Sequence, residues 1–442
     1  MHNLAIALKL KGNEVTGSDD EIFEPAKGRL AKYGILPDSI GWNPDKIDAS
    51  VDAVILGMHA REDNPELLKA KELGIRIFSY PEFLYEQSKD KTRIVVGGSH
   101  GKTTITSMII HVLQQNGIDC DYMVGAQLAG FEVMVKLSDE AKIMVIEGDE
   151  YLTSPIDRRP KFHLYKPTVG IISGIAWDHV NVFPTFDIYV KQFEIFANMI
   201  PENGRFIYCS DDPVLKELSE KITNTQKSPY GPYPYFIKDG VTYLESPTEP
   251  TPLLIFGRHN LCNLNAARLA CAEVGVSDEH FFKAMATFKG ASKRLELVDK
   301  SDKCAVYKDF AHSPSKLKAT VEAVREQFPD RKLVACMELH TFSSLTRKFL
   351  AEYGGAMDKA DEAMVYFDPH AIALKKLPPI DSQMVFDAFG RQDLEVYSES
   401  NLLNDRLLCR IEEKSVFLLM SSGNFGGINV DELAKKIVSL QA

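Results

Sequence analysis

The run TRIVVGGSHGKTTITSMIIHVLQQNG, residues 92–117, limits the folds open to this chain more than any other stretch. Its β-branched start reads as a buried strand. The residues after Thr103 carry apolar side chains at helical spacing, and Gly117 closes them as a helix C-cap. Strand, glycine-rich turn and helix in that order belong to a parallel α/β sheet. The turn also predicts an anion site, because a helix N-terminus presents free backbone N–H groups and the positive end of a dipole. Lys102 is placed to reach the β- and γ-phosphates of a nucleotide, and Thr103 to offer its hydroxyl to Mg2+. The usual spelling puts a glycine five places before Gly101. Val96 stands there, followed by Gly97 and Gly98, so the loop is a shortened variant, GGSHGKTT.

A chain of 442 residues is too long for one hydrophobic core, so two or three domains are expected. A net charge of −11 argues against any general attraction to nucleic acid or anionic membrane. An anionic substrate would need a local basic pocket. No apolar run reaches membrane-spanning length and the opening residues do not read as a signal peptide, so a cytoplasmic location is expected. The seven cysteines are scattered with no Cys-x-x-Cys pair, which points to reduced thiols rather than a disulfide frame or a zinc site. A monomer or weak homodimer is expected.

Residues 1–90 alternate helix and strand. NLAIALKLKG, PAKGRLAKYG and NPELLKAKELG read as helices, and NEVTGSD, VDAVILG and IRIFSY as strands. Asn64 is a plausible N-cap with Pro65 at the first helical position. A doubly wound nucleotide domain starts with a strand and a glycine turn. Here the first residue already sits at a helix start, and an upstream strand and turn are expected in the gene. Residues 91–293 form a second unit around the loop, with strands in KIMVIEGDE and TVGIISGIAWDH. NTQKSPYGPYPYFIKDG reads as an irregular loop or small hairpin, and HNLCNLNAARLACAEVG as a helix. Residues 294–442 form a third α/β unit with strands near CAVYKDF, KLVACME, EAMVYFD and VFLLMSSG.

Several residues could carry chemistry. Glu147, Asp149 and Glu150 follow a strand, where α/β sheets bind ligands, and a carboxylate beside a phosphate loop suits Mg2+. Glu147 is the favoured ligand; the alternative is an acidic turn facing water. Asp178 and His179 end the next strand and could hold a second metal or orient a phosphate. His259, Asn260 and Asn263 open a helix. Their amides could pair with a purine edge, or Asn260 could simply cap the helix. Lys293 and Arg294 could clamp a transferring phosphoryl group or form a solvated basic pair. Asp309 and His312 again lie between a strand and a helix, with Ser313 and Pro314 as cap and first turn.

Together these segments resemble the Mur ligases, ATP-dependent enzymes that couple amino acids or peptides to UDP-N-acetylmuramic acid. GSHGKTT, from Gly98 through Ser99, His100, Gly101, Lys102 and Thr103 to Thr104, looks like their ATP loop. EGDE and DH resemble their magnesium segments. GRHNLCNLNAA, GASKR and DFAHSP are similar to their histidine–asparagine, arginine and C-terminal segments. Their order along nearly the whole chain makes the resemblance specific. GSDD, DNPEL and DFAHSP lean toward the alanine-adding branch and its peptide-adding relative. SSGNFGGIN resembles the branch that ligates a preformed tripeptide. Three departures stand out: the first glycine turn is absent, Gly174 replaces an asparagine, and Glu194 occupies the place of a lysine that some members carbamylate, so no carbamate is expected.

The resemblance implies an α/β fold of three domains. They are a Rossmann-like UDP-binding domain lacking its first strand (1–90), a central P-loop ATPase domain (91–293) and a C-terminal Rossmann-like domain (294–442). It implies ATP and Mg2+ as cofactors, and UDP-N-acetylmuramate with the murein tripeptide L-Ala-γ-D-Glu-meso-diaminopimelate as substrates. The expected route is an acyl phosphate on the sugar's lactyl carboxylate, attacked by the tripeptide amine. Lys102 and Arg294 would balance phosphoryl charge. Thr103, Glu147 and His179 would bind metal, Asn263 would read adenine with His259 and Asn260 beside it, and Asp309 and His312 would complete the site. Ser18, Asp19, His59 and Asn64 fall in segments matching the UDP-sugar site. The rival readings are an L-alanine-adding ligase, a folylpolyglutamate synthetase without a UDP domain, and a nucleotide-binding regulatory protein without turnover. A motor-type P-loop ATPase would need the strict loop spelling that Val96 denies.

Overall fold

A computed structural model describes residues 1–128, 130–179, 182–245, 249–291, 294–409 and 414–441. The chain divides into two compact units, Met1–Gly231 with Asn265–Ala284, and Pro232–Leu264 with Met285–Ala442.

The first unit opens with helix His2–Leu10, which buries Leu4, Ile6 and Ala7. A two-stranded parallel sheet follows, β1 (Ala53–Leu56) and β2 (Arg76–Ser79), bridged by helix Pro65–Glu72. Asn64 caps that helix, accepting from the Glu66 and Leu67 N–H groups at 3.0 Å each, with Pro65 at its first turn. The strand expected at NEVTGSD does not form. Residues 13–19 pair with no strand and none of their side chains is buried. A strand without a ladder partner or a buried face has nothing to stabilise it. Helix Tyr80–Ser88 then leads into the main sheet through a Ser79–Glu82 capping box.

The main sheet comprises β3 (Thr92–Gly97), β4 (Asp121–Met123), β5 (Val135–Lys136), β6 (Ile143–Glu147), β7 (Val169–Ile172), β8 (Arg205–Cys209) and β9 (Gln226–Tyr230). Their order is β5-β4-β6-β3-β7-β8-β9, parallel except for β5. β3, β6 and β7 are almost wholly buried, as central parallel strands covered on both faces must be, and so read as unbroken apolar runs. β6 lies on one side of β3 and β7 on the other. The carboxyl end of β3 is therefore a topological switch point, where open α/β sheets bind ligands.

The second unit holds two sheets. β10 (Tyr235–Lys238), β11 (Val241–Leu244) and β12 (Thr251–Leu253) form a small antiparallel sheet. Asp239 and Gly240 join the first two, at φ 52° and 73°, as a two-residue hairpin requires. The larger sheet contains β13 (Glu296–Lys300), β14 (Cys304–Asp309), β15 (Lys332–Leu339), β16 (Glu362–Phe367), β17 (Glu395–Tyr397) and β18 (Ser415–Met420). Its order is β13-β14-β18-β15-β16-β17, parallel apart from β13. Apolar clusters cover both faces, one around Leu317, Val321, Met337 and Met420, the other around Val306, Leu403, Phe417 and Ile437. All seven cysteines are free thiols. Among the described residues no helix is long and apolar enough to cross a membrane.

Candidate active site

The loop after β3 is shaped by close backbone contact with the exit of β7. Ser99 N donates to Gly174 O at 2.9 Å, and Ser173 N to Gly97 O at 3.1 Å. Gly98 has φ 129°, and a Cβ there would lie 2.2 Å from Ser173 Oγ. Only glycine fits both the backbone angle and the space. Helix Lys102–Gln115 starts directly after Gly101, so its first N–H groups face the loop's hollow.

Thr103 Oγ1 donates to Glu147 Oε1 at 2.8 Å, and Gly125 N donates to Glu147 Oε2 at 2.9 Å. Burial pushes the Glu147 carboxyl above the ordinary glutamate range, while the Gly125 N–H and the Lys102 charge work the other way. A hydroxyl and a carboxylate thus meet between the ends of β3 and β6. Mg2+ takes one or two such hard oxygens and fills its shell with water and phosphate oxygens. Among the described residues, no group of three or more His, Cys, Asp and Glu could hold a metal. The donor set therefore fits Mg2+ held jointly with a nucleotide.

Lys102 folds back over the loop. Its Nζ donates to Gly98 O at 2.6 Å and to Glu150 Oε2 at 2.5 Å. Burial opposes its charge, but Glu150, Asp149 and Glu147 outweigh burial and hold its pKa above the usual lysine value. Glu150 is 1% exposed. Its other oxygen accepts from Tyr189 OH at 3.1 Å and lies 3.7 Å from His179 Nε2. Tyr189 OH also meets Ser99 Oγ at 2.9 Å, which in turn accepts from Ala176 N. His179 has a left-handed φ of 54°, donates its backbone N–H to Asp178 Oδ1, and sets its ring edge-on to Tyr151. Asp149 pairs instead with Lys161 Nζ at 2.6 Å.

Sequence reasoning brought Lys102, Thr103, Glu147 and His179 to one place, and the structure gathers them at the ends of β3, β6 and β7. It missed the roles of Glu150, Tyr189 and Lys161. Glu150 had a signal, three residues past Glu147 in the same acidic run. Tyr189 and Lys161 had none, since each reaches the site only through the fold. Near Gly174, a Cβ would come within 3.1 Å of His100 Nε2 and 3.4 Å of Asp212 Oδ2. A larger residue there would press on the phosphate loop's own histidine.

The UDP-sugar candidates lie in the small N-terminal part of the first unit. Ser18 Oγ donates to Glu66 Oε1 at 2.7 Å, and the Asn64 carbonyl is committed to its helix cap. Asp19 and His59 are exposed.

The second unit contains the remaining candidates. Asn260 is buried inside helix Arg258–Ala272, and its Nδ2 donates to Phe256 O at 2.9 Å. It is therefore not an N-cap. Asn263 is also buried. Burial lowers the His259 pKa to about 4, so the ring is neutral at pH 7. Lys293 lies outside the described residues. Arg294 sets its guanidinium 4.7 Å from the centre of the Phe310 ring. The Asp309 carboxylate, buried at the end of β14, accepts from Leu295 N at 2.7 Å and Ala311 N at 2.6 Å. Leu295 has φ 45°, an unusual angle for leucine, and Asp309 holds it there. Burial raises the Asp309 pKa, against the pull of the Arg294 charge. Asp309 thus fixes the backbone on which Arg294 stands. His312 Nδ1 lies 2.8 Å from Phe310 O, and its carbonyl accepts from Tyr353 OH at 2.5 Å. Pro314 opens helix Pro314–Gln327, but Ser313 makes no side-chain cap.

A polar site that sequence reasoning did not find lies at the ends of β15 and β18. Glu338 is 2% exposed; it accepts from Phe425 N at 2.8 Å and from Ser421 Oγ, and lies 3.7 Å from His340 Nδ1. A Cβ on Gly423 would sit 2.6 Å from the His340 ring and 2.8 Å from Glu338 Oε2, so the SSGNFGG run leaves no room for a side chain at 423.

Three family profiles match along the chain. Residues 1–92 match the profile described as Mur ligase family, catalytic domain; 96–271 match Mur ligase middle domain; and 293–423 match Mur ligase, glutamate ligase domain. UDP-N-acetylmuramate–L-alanine ligase of Desulfitobacterium hafniense is 31% identical over 81% of this chain and 80% of its own. UDP-N-acetylmuramate–L-alanyl-γ-D-glutamyl-meso-2,6-diaminoheptandioate ligase of Haemophilus influenzae is 28% identical over 98% and 96%. The crystal structure of a murein peptide ligase from Psychrobacter arcticus superposes with a TM-score of 0.64 at 24% identity, over 100% of this chain and 97% of that one, a likeness of fold.

Proposed function

This chain belongs to the Mur ligase family of ATP-dependent amide ligases, and on that premise we propose that it joins L-Ala-γ-D-Glu-meso-diaminopimelate to UDP-N-acetylmuramate in the cytoplasm, returning a murein tripeptide to cell-wall precursor. The meeting of Lys102, Thr103 and Glu147 at the ends of β3 and β6 carries the ATP-using part. The tripeptide as donor is supported by similarity along 98% of the chain to a ligase of that name, and by the SSGNFGG run beside Glu338.

In this reading the division into 1–90 for the UDP-sugar, 91–293 for ATP and 294–442 for the donor is functional. A carboxylate is a poor acyl donor because oxide would have to leave. Transfer of the γ-phosphoryl to the lactyl carboxylate releases ADP and makes phosphate the leaving group. The alanyl amine of the tripeptide then forms the amide and phosphate departs. The loop from Gly98 to Thr104 cradles the phosphates, and Lys102 and Arg294 balance charge on the transferred group. Thr103 and Glu147, with His179 toward the carboxylate, would hold Mg2+, which supplies further charge neutralisation when bound. Asn263, flanked by His259 and Asn260, reads adenine, and Ser18, Asp19, His59 and Asn64 face the UDP-sugar. Asp309 and His312 keep Arg294 and its neighbours in place. The enzyme works as a monomer or weak homodimer.

The test is phosphate release from Mg-ATP with UDP-N-acetylmuramate and no donor, L-alanine, or the tripeptide. Release with the tripeptide and not with alanine is expected. Release with alanine alone would make this chain an alanine-adding ligase, as the 31% relative is named. Silence with every donor, despite ATP binding, would favour a regulatory role.

A further inference from the structure

Glu150 is an anion buried at the floor of a loop built to receive anions. It is 1% exposed, and burying a carboxylate there is costly unless a cation and hydrogen bonds compensate. Both are present, but they divide between its two oxygens. Oε2 takes Lys102 Nζ at 2.5 Å; Oε1 takes Tyr189 OH at 3.1 Å and faces His179 Nε2 at 3.7 Å. Lys102 is the side chain that a nucleotide phosphate must recruit. Its charge is offset where it stands, with Nζ bent back onto Gly98 O and Glu150. A phosphate therefore meets an ammonium group whose charge Glu150 already offsets and holds to one side. When Lys102 turns away, Glu150 keeps its Tyr189 and His179 contacts. Those connect it through Tyr189 and Ser99 to the phosphate loop, and to the segment after β7.

We propose that Glu150 is a positioning residue with two tasks: it parks Lys102 until a nucleotide arrives, and it then steadies His179 for the phosphoryl transfer step. The proposal rests on ATP binding at this loop. The two tasks pull measurable quantities in opposite directions. Removing the charge frees Lys102 for phosphate, so nucleotide binds more tightly. Removing the charge also takes away the carboxylate that faces the His179 ring at 3.7 Å, so turnover slows. A residue that merely holds the fold together would weaken both.

The experiment measures Mg-ADP binding by calorimetry and phosphate release at steady state, on the full chain and on Glu150→Gln. A fall in Kd for Mg-ADP of about fivefold and a fall in kcat of about tenfold are expected, with KM for UDP-N-acetylmuramate unchanged. Glu150→Asp should lie between the two in both quantities. If Glu150→Gln does not fold, Glu150→Asp carries the test with the same signs. Tyr189→Phe, which leaves the Lys102 contact intact, should slow turnover without tightening Mg-ADP. Unchanged or weaker Mg-ADP binding in the folded Glu150 variants would overturn the proposal. Failure of the unsubstituted protein to bind Mg-ADP would instead remove the ATP reading beneath it.

Discussion

At the scale of single residues, Gly98 and His259 allow direct tests. Gly98 combines a left-handed φ with a 2.2 Å approach to Ser173 Oγ, so an added methyl group must push the loop away from β7. Gly98→Ala is expected to lower stability by about 1–3 kcal/mol and to abolish measurable Mg-ADP affinity. Denaturant melts and calorimetry would read both, and intact affinity would contradict this account of the loop. His259 gives a pH signature. Its folded pKa is about 4 against 6.5 when free, because burial disfavours the imidazolium. The unfolded chain therefore binds this proton first. Its contribution is fully present above pH 6.5 and is lost as pH falls toward about 4. His259→Gln should lose less stability than the unsubstituted protein between pH 7 and pH 4.5. Equal losses in denaturant melts would show that the ring is not held neutral.

At the scale of elements, Arg93 ties three segments together. It lies at the start of β3, and the residue is 8% exposed. Its Nη1 donates to Ser88 O and Lys89 O at 2.8 Å each and to Lys91 O at 3.0 Å, capping helix Tyr80–Ser88. Its Nε donates to Lys166 O at 2.9 Å and Tyr165 O at 3.2 Å, just past helix Lys161–Leu164. No carboxylate is needed, because the carbonyls at helix ends carry partial negative charge. The guanidinium's planar fork serves several acceptors at once, and an ammonium cannot. Arg93→Lys is expected to cost about 2–4 kcal/mol, seen as a lower denaturant midpoint at unchanged slope. A loss within experimental error would mean that the end of helix Tyr80–Ser88 is anchored by other contacts.

At the scale of the whole molecule, two compact units should report ligands separately. The phosphate loop and its carboxylates lie in the first, Met1–Gly231 with Asn265–Ala284. Mg-ADP at a hundred times its Kd is expected to stabilise that unit by about 2.7 kcal/mol. Differential scanning calorimetry should resolve two transitions, with the nucleotide raising most the one that belongs to the phosphate loop and less the one that holds Asn263. A single transition, equally shifted, would show that the units unfold together.

Much of the site was legible before the fold was known, and for a local reason. The strand, glycine turn, lysine and threonine of residues 92–117 are contiguous, so their geometry follows from backbone rules. Glu147 was legible because a carboxylate at a strand end beside such a loop has few other places to point. NEVTGSD shows the opposite case: its residues allow a strand, but only a pairing partner makes one, and here none is present. The Lys102–Glu150–Tyr189 network and the Glu338–Ser421–Phe425 cluster join residues dozens of positions apart. Asp309 looked like a ligand-binding residue, yet both its oxygens serve backbone N–H groups. By itself the sequence determined the phosphate loop, the parallel sheets and the family, because short-range geometry and ordered motifs encode them. Only the tertiary structure decided which buried charges neutralise one another, because burial and pairing depend on what other segments bring to the same point.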